Sequence, residues 1–225
     1  MKIVPASFEI MFMPDPDAVM TNIEAAGRTC YKSEDKITPD SARAFVKRII
    51  ASGHESVIEH ATATVRFVCD RGVTHELVRH RVASYSQEST RYANYSKDKF
   101  GSEITVIRPL FWDEDSEEYA LWKESMEQAE RLYLALIEKG AKAQEARSVL
   151  PNSLKTEIVM TANLREWRHV FRLRCDSPAH PQIREIMLPL LDRFGTELPA
   201  LFGDLREKYA KDIESFQQRA DELRA

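Results

Sequence analysis

The sequence predicts an α+β fold: a single domain over residues 1–225, with a modest mixed or antiparallel sheet packed by long helices. Three features predict it. Ala61, Ala63, Val65, Phe67 and Cys69 alternate with mostly polar Thr62, Thr64 and Arg66, the period of a strand with one face in a core. A helical stretch of about 25 residues, from Glu114 to Glu138, carries acids early and Arg131 and Lys139 late, as a helix dipole prefers. Mixed α and β content, with long helices against a modest sheet, suggests an α+β architecture, and the chain is long enough to bury one sizeable core.

The elements follow in order. MKIVPASFEIMFM reads as a first strand, and a helix from Asp17 to Ala26 follows, with Pro16 at its first turn and Gly27 ending it. Thr38, Pro39 and Asp40 start a second helix with Phe45, Val46, Ile49 and Ile50 at helical spacing, stopped by Gly53. GHESVIEH is irregular, and the strand 61–70 comes next. Gly72 breaks that strand, Val73 to Arg81 reads as a short helix presenting Arg79, and Ser84 to Tyr95 as a loop without apolar periodicity. Ile104 to Ile107 is a short strand, the long helix follows, and a further helix ends at Leu150 and Pro151. Leu154 to Ala162 is a strand rich in Thr, Ile and Val. Asn163 and Glu166 form a variant capping box for a helix with Trp167, Val170, Phe171 and Arg174 on one face. The remainder is helical, interrupted at Pro189 and Pro199, and amphipathic from Leu205 to Arg224.

Composition excludes several classes. No apolar run approaches the ~20 residues of a membrane span, and the N-terminal segment carries Glu9 and lacks a cleavage site, so a cytoplasmic protein without a membrane contact is expected. A net charge of −4 argues against general nucleic-acid binding. Cys30, Cys69 and Cys175 form no CxxC pair, which fits reduced packing thiols.

The chemistry concentrates in RHRVASYSQESTR, residues 79–91. Three arginines in so short a span suit a phosphate or a flat carbonyl and imide edge, since a guanidinium offers a planar fork of donors. Arg43 and Lys47 share one helix, and Lys97 and Lys99 one loop, yet no lysine occurs in 49–96 or 156–207. Those windows instead hold Arg66, Arg71, Arg79, Arg81 and Arg91, then Arg165, Arg168, Arg172, Arg174, Arg184, Arg193 and Arg206. Bidentate recognition and buried ion pairing both favour arginine, and the two windows are expected to meet in one anion site. A Ser-His hydrolase is weak because Ser84, Ser86 and Ser89 near His80 have no GxSxG elbow. Neither His54 with His60 nor His75 with His80 has the four-residue spacing of a helical zinc pair, so no metal is expected, and no GxGxxG follows a strand.

Arg-His-Arg, seven residues, then Ser89 resembles the signature of the flavin-dependent thymidylate synthases. GHESVIEH at 53–60, EARSVLP at 145–151, NLREW at 163–167 and LRCDSPAH at 173–180 add four further blocks in order. The resemblance implies a homotetramer of α+β subunits with sites between subunits, binding FAD and reducing it with NADPH. It also implies conversion of deoxyuridylate (dUMP) to thymidylate with methylenetetrahydrofolate as one-carbon donor. Carried over, Ser56, Arg79, His80, Arg81, Gln87, Asn163, Arg165 and His169 match flavin positions, and His54 is a further residue that could position flavin or folate. Glu76, Arg79, Gln87, Glu88, Ser89, Thr90, Arg91, Arg147 and Arg174 match dUMP positions, Arg174 being the catalytic residue that polarises the pyrimidine. Glu76, Ser56 and His169 depart from the amide, threonine and asparagine frequent in the family, and Cys30 sits near a small hydroxyl position. A non-catalytic nucleotide-binding tetramer and an NADPH-oxidising flavoprotein are the alternatives.

Overall fold

The computed structural model describes residues 1–97 and 101–222; Lys99 and the end of the last amphipathic stretch, Arg224 included, lie outside the described residues. The chain divides into two compact units, the first made of residues 1–8, 66–79 and 85–159, the second of 9–65, 80–84 and 160–225.

Strands β1 (Lys2–Val4) and β2 (Ser7–Phe12) replace the single expected first strand. Pro5 separates them, because a residue without an N–H cannot continue a ladder. In the first unit β1 pairs in parallel with β5 (Thr105–Ile107). A four-stranded sheet has the order β2-β3-β6-β4, with β3 at Thr62–Asp70, β4 at Ala83–Gln87 and β6 at Lys155–Asn163. Strands β3 and β6 run antiparallel: Leu164 N donates to Ala61 O (2.9 Å) and Arg71 N to Asn152 O (2.9 Å), so one strand descends as the other climbs. The alternation read from the sequence holds, since Ala63, Val65, Phe67 and Cys69 are fully buried.

Strand β3 ends at Asp70, as expected, and in the first unit helix α3 (Arg71–Leu77) begins one residue before Gly72 and stops before Arg79, His80 and Arg81. The Arg-His-Arg triplet therefore sits in the turn beyond the helix. Asp70 caps α3 through its side chain, which accepts from Val73 N (2.6 Å). Strand β4 occupies what the sequence reads as loop; its alternating exposed and half-buried residues are too polar and short to show a period. Helix α4 (Glu117–Glu138) starts at Ser116, whose Oγ accepts from Tyr119 N (3.2 Å). Its Tyr119, Trp122, Met126 and Tyr133 pack with Tyr95, Ile104, Val106 and Leu154 in the core of this unit. Helix α5 (Ala143–Ala146) is followed by a 3-10 turn, Arg147–Val149.

In the second unit, α1 (Pro16–Tyr31) runs past Gly27 to a left-handed Lys32 (φ 48°). Gly27 serves close packing: a Cβ there would meet the Phe45 ring at 2.6 Å. Phe45 lies on α2 (Ser41–Ala51), buried, with Arg28 and Arg48 over its ring. A 3-10 turn at Glu55–His60 leads into β3. Helix α6 (Leu164–Arg174) is capped by Asn163, whose Oδ1 accepts from Glu166 N (2.8 Å), as the sequence predicts. Helix α7 (Pro181–Glu197) continues through Pro189 instead of breaking, whereas Pro199 does begin α8 (Pro199–Lys208), before α9 (Ala210–Glu222). Trp167, Phe171, Phe194 and Phe202 form a ring cluster with centroids 5.1–5.9 Å apart, so α6, α7 and α8 share one core.

Gly27→Ala is expected to destabilise the protein. Alanine's helix propensity favours the change by about 1 kcal/mol, but overpacking against a buried ring costs typically 1–3 kcal/mol. A net loss in the denaturation midpoint, relieved by pairing the change with Phe45→Leu, is the expected result.

Candidate functional site

The second unit builds its site on the exit of α6. Arg168 is buried, at 1% exposure, on that helix. Its Nη1 and Nη2 donate to the two carboxylate oxygens of Asp204 on α8 (2.8 and 2.6 Å), and its Nε donates to Glu55 (2.9 Å) in the 3-10 turn. Arg172, one turn on, donates twice more to Glu55. Burial alone would raise the Glu55 carboxyl, but the hydrogen bond from Arg172 and the charge of Arg168 outweigh it and hold the pKa below the usual carboxylate value. A charge-assisted clamp thus fixes α6 along its length.

The clamp sets what the helix presents. Arg174, its last residue, donates from Nε to His80 Nε2 at 3.0 Å. His80 is 4% exposed, meets the ring of His169 edge to face at 5.6 Å, and turns Nδ1 towards Glu166 at 3.4 Å. Burial first, then the charges of Arg174 and His169, lower its pKa from 6.5 to about 4. The imidazole is neutral at physiological pH; because Nε2 accepts from arginine, the proton resides on Nδ1, facing Glu166. Glu166 is itself raised by burial, despite the lowering effect of His169.

His80, Glu166 and His169 each offer a ligand atom within 4.8 Å of the others, the three-residue cluster of this type among the described residues. A metal on His80 Nδ1 would displace that proton while Nε2 still accepts from Arg174, leaving an imidazolate beside a fixed cation. The arrangement suits a neutral hydrogen-bonded chain better than a metal. Arg81 is exposed, Arg165 is exposed and paired with Glu59, and Ser56 is exposed beside Glu55. Arg81 follows His80 directly in the chain, and Asn163, Arg165 and His169 lie at the start and on the course of α6; guanidinium, imidazole and amide groups are the donor types that suit a diphosphate carrying a flat heterocycle.

The first unit holds the other predicted residues. Gln87 Nε2 donates to Thr74 Oγ1 (3.1 Å) and Thr156 Oγ1 (3.4 Å). Ser89 Oγ accepts from Arg91 N (3.3 Å), and Ser89 O accepts from Ala93 N (2.9 Å), folding 89–93 into a tight turn. Thr90 is buried, and Arg147 Nη1 donates to its hydroxyl at 3.2 Å, so two residues 57 apart in sequence meet here. Lys155 bridges Glu88 (3.4 Å) and Glu157 (2.6 Å), and Arg66 lies 3.9 Å from Glu157. Arg79 is exposed, its N–H donating to Glu76 O (3.3 Å).

Among the predicted residues, the structure therefore brings together His80, His169 and Arg174 in one unit, and Thr90 with Arg147 in the other. The arginine bias has a second origin. Arg165, Arg168, Arg172, Arg184, Arg193 and Arg206 are each ion-paired with an acid, so most of the second window is explained by ion pairing rather than by a ligand. The expected meeting of the two windows reduces, within this unit, to His80 with Arg174. Glu55 escaped the sequence reading, and Glu166 and Arg168 were read there only as a helix cap and as one of a run of arginines; nothing in local spacing pairs Glu55 with arginines 113 and 117 residues away or Glu166 with His80.

Comparison with known proteins shows the family. A family model, described as thymidylate synthase complementing protein, matches residues 10–200. Among curated relatives, a flavin-dependent thymidylate synthase of Pyrococcus abyssi is 40% identical over 72% of this chain and 66% of its own length. One of Geobacter sulfurreducens is 35% identical over 85% of this chain and 82% of its own, and one of Mycobacteroides abscessus 34% over 87% and 83%. The chain spans about two thirds of the first of these relatives. A solved structure of a UMP/dUMP methylase, PolB of Streptomyces cacaoi, bound with 5-Br dUMP, superposes with a TM-score of 0.74 over 93% of this chain and 98% of that one, at 21% identity, a likeness of fold. The fold and these matches define a flavin-dependent thymidylate synthase type of α+β protein. The chain belongs to the thymidylate synthase complementing protein family, that of the flavin-dependent thymidylate synthases.

His80 is expected to remain neutral down to about pH 4 in the folded protein. Because the unfolded chain takes up that proton near 6.5, the stability gained from a neutral His80 is fully present above 6.5 and lost as pH falls towards 4. Nitrogen-resolved NMR titration checks it; an imidazole titrating at its ordinary value contradicts the buried contact with Arg174.

Proposed function

We propose that this protein methylates dUMP to thymidylate reductively, with FAD as its resident cofactor, NADPH as reductant and methylenetetrahydrofolate as one-carbon donor. The observation that carries the reading is Arg174 held by His80 at the exit of α6, where a family motif and a fixed cation coincide. In this reading Arg174 is the catalytic residue. A guanidinium beside the uracil imide stabilises the ionised or enolate-like ring, which raises its reactivity towards the one-carbon unit. Its orientation requires the clamp of Glu55 and Asp204 on Arg168, since a shift of about 1 Å in a reacting group costs on the order of a hundredfold in rate.

Bound flavin supplies hydride chemistry. Ser56, Arg79, His80, Arg81, Gln87, Asn163, Arg165 and His169 are the residues proposed to hold it, with cations for the diphosphate and imidazoles against the ring system. His169, in place of an asparagine, keeps a ring edge on His80 and supports the same role. Nucleotide phosphate is assigned to Ser89, Thr90, Arg91 and Arg147, a group of hydroxyls and guanidiniums already preorganised by the bond from Arg147 to Thr90. Gln87 and Glu88 orient the base and sugar, and Arg79, beside Glu76, offsets the repulsion between that carboxylate and a bound phosphate. The protein acts as a homotetramer whose sites form between subunits.

Arg174→Ala is expected to keep its yellow cofactor and its bleaching by NADPH under anaerobic conditions while losing methylation by at least a hundredfold, the order of effect of removing one preorganised stabiliser. Visible spectra before and after NADPH, then after dUMP and the folate, provide the measurement. A colourless wild-type protein that takes up no FAD sinks the reading, and equal loss of flavin and turnover in the variant makes Arg174 a structural residue.

A further inference from the structure

Arg71 is an arginine of the first unit that the proposed activity does not use. It is the first residue of α3, directly after Asp70, and its backbone N–H donates to Asn152 O. Its guanidinium Nη1 is buried without an acceptor among the described residues. That is a costly position for a charged donor, since an unsatisfied buried group forfeits its hydration and receives nothing in return. The helix makes it worse, because a cation at the N-terminal turn opposes the dipole. Among the described residues, Glu88 and Glu157 are both engaged by Lys155, and Glu157 also faces Arg66.

The surroundings indicate what it faces. Tyr95, four residues after Arg91, is a buried phenol whose pKa is raised by burial first and then by the charge of Glu88, and lowered by that of Arg71. Thr74, on the same helix as Arg71, accepts from Gln87 Nε2 at 3.1 Å, so α3 lies against the signature loop two residues before Ser89. That loop carries Ser89, the Thr90 hydroxyl with its bond from Arg147, and Arg91.

We infer that Arg71 is a further phosphate ligand of the nucleotide site, its buried Nη1 reserved for an oxygen of the 5′-phosphate. The inference rests on the reading that the chain binds dUMP and adds a residue to that binding. In that role the guanidinium contributes a charge-assisted bond to phosphate and none to the base, so its effect belongs to the phosphate alone.

Calorimetric binding of dUMP, deoxyuridine and inorganic phosphate to the full chain with its cofactor, in wild type, Arg71→Gln and Arg71→Lys, tests it. Arg71→Gln is expected to weaken dUMP by roughly tenfold or more, to weaken inorganic phosphate as well, and to leave deoxyuridine unchanged; Arg71→Lys, retaining the charge, loses less. Thermal melting and flavin content accompany each variant. Equal weakening of dUMP and deoxyuridine, unchanged dUMP binding, or failure of both variants to fold overturns the inference and makes Arg71 structural. If wild type binds phosphate but not dUMP, the proposed function falls while the phosphate comparison still decides Arg71; if it binds neither, both fall.

Discussion

The hydrogen bond from Arg174 Nε to His80 Nε2 constrains the chemistry of the second unit more than any other contact. A guanidinium is charged at every accessible pH, so the buried imidazole that accepts from it must stay neutral and must carry its proton on the opposite nitrogen. That single requirement fixes the tautomer of His80, turns its N–H to Glu166, and ties the Arg-His-Arg triplet to the end of α6. The contact exists because α6 cannot rotate. Arg168 and Arg172 lock it to Glu55, Asp204 locks it to α8, and the ring cluster around Trp167 fills the face opposite. Buried ion pairs of this kind are weak evidence of stability and better read as devices of orientation.

The two halves of the chemistry differ in how their charges are held. In the second unit, Arg165, Arg168, Arg172, Arg184, Arg193 and Arg206 are matched to acids, as befits a scaffold. In the first unit Lys155 bridges Glu88 and Glu157, and an arginine and a hydroxyl meet directly, Arg147 on Thr90. A guanidinium and a hydroxyl held together offer donors of a kind that an anion can complete.

What the sequence revealed, and what it hid, follows the range of each signal. Alternation in 61–70 identified β3, and Asn163 with Glu166 identified the start of α6, because both signals are local and one face of each element is buried. Strand β4 was hidden: SYSQ has neither an apolar face nor β-branched residues, and its place in a sheet is a tertiary fact. Gly27 and Pro189 misled for a shared reason. Each is a breaker by propensity, yet Gly27 is required by the Phe45 ring and Pro189 is carried by a helix buried along most of its length. The arginine-for-lysine bias was read as ligand recognition, whereas six of seven arginines in the later window answer to acids between 4 and 117 residues away, a distance no local pattern reports. The motif residues of the site were legible through resemblance; the clamp that orients them was not.

The most direct test of the central claim is the ionisation of the uracil ring itself. Ultraviolet difference spectra of dUMP bound to the protein, recorded across alkaline pH, report the loss of the N3 proton. Arg174 fixed beside the imide predicts that bound dUMP ionises at a lower pH than free dUMP, and that the shift disappears in Arg174→Ala. Bound nucleotide ionising at the same pH as free, or higher, would contradict it.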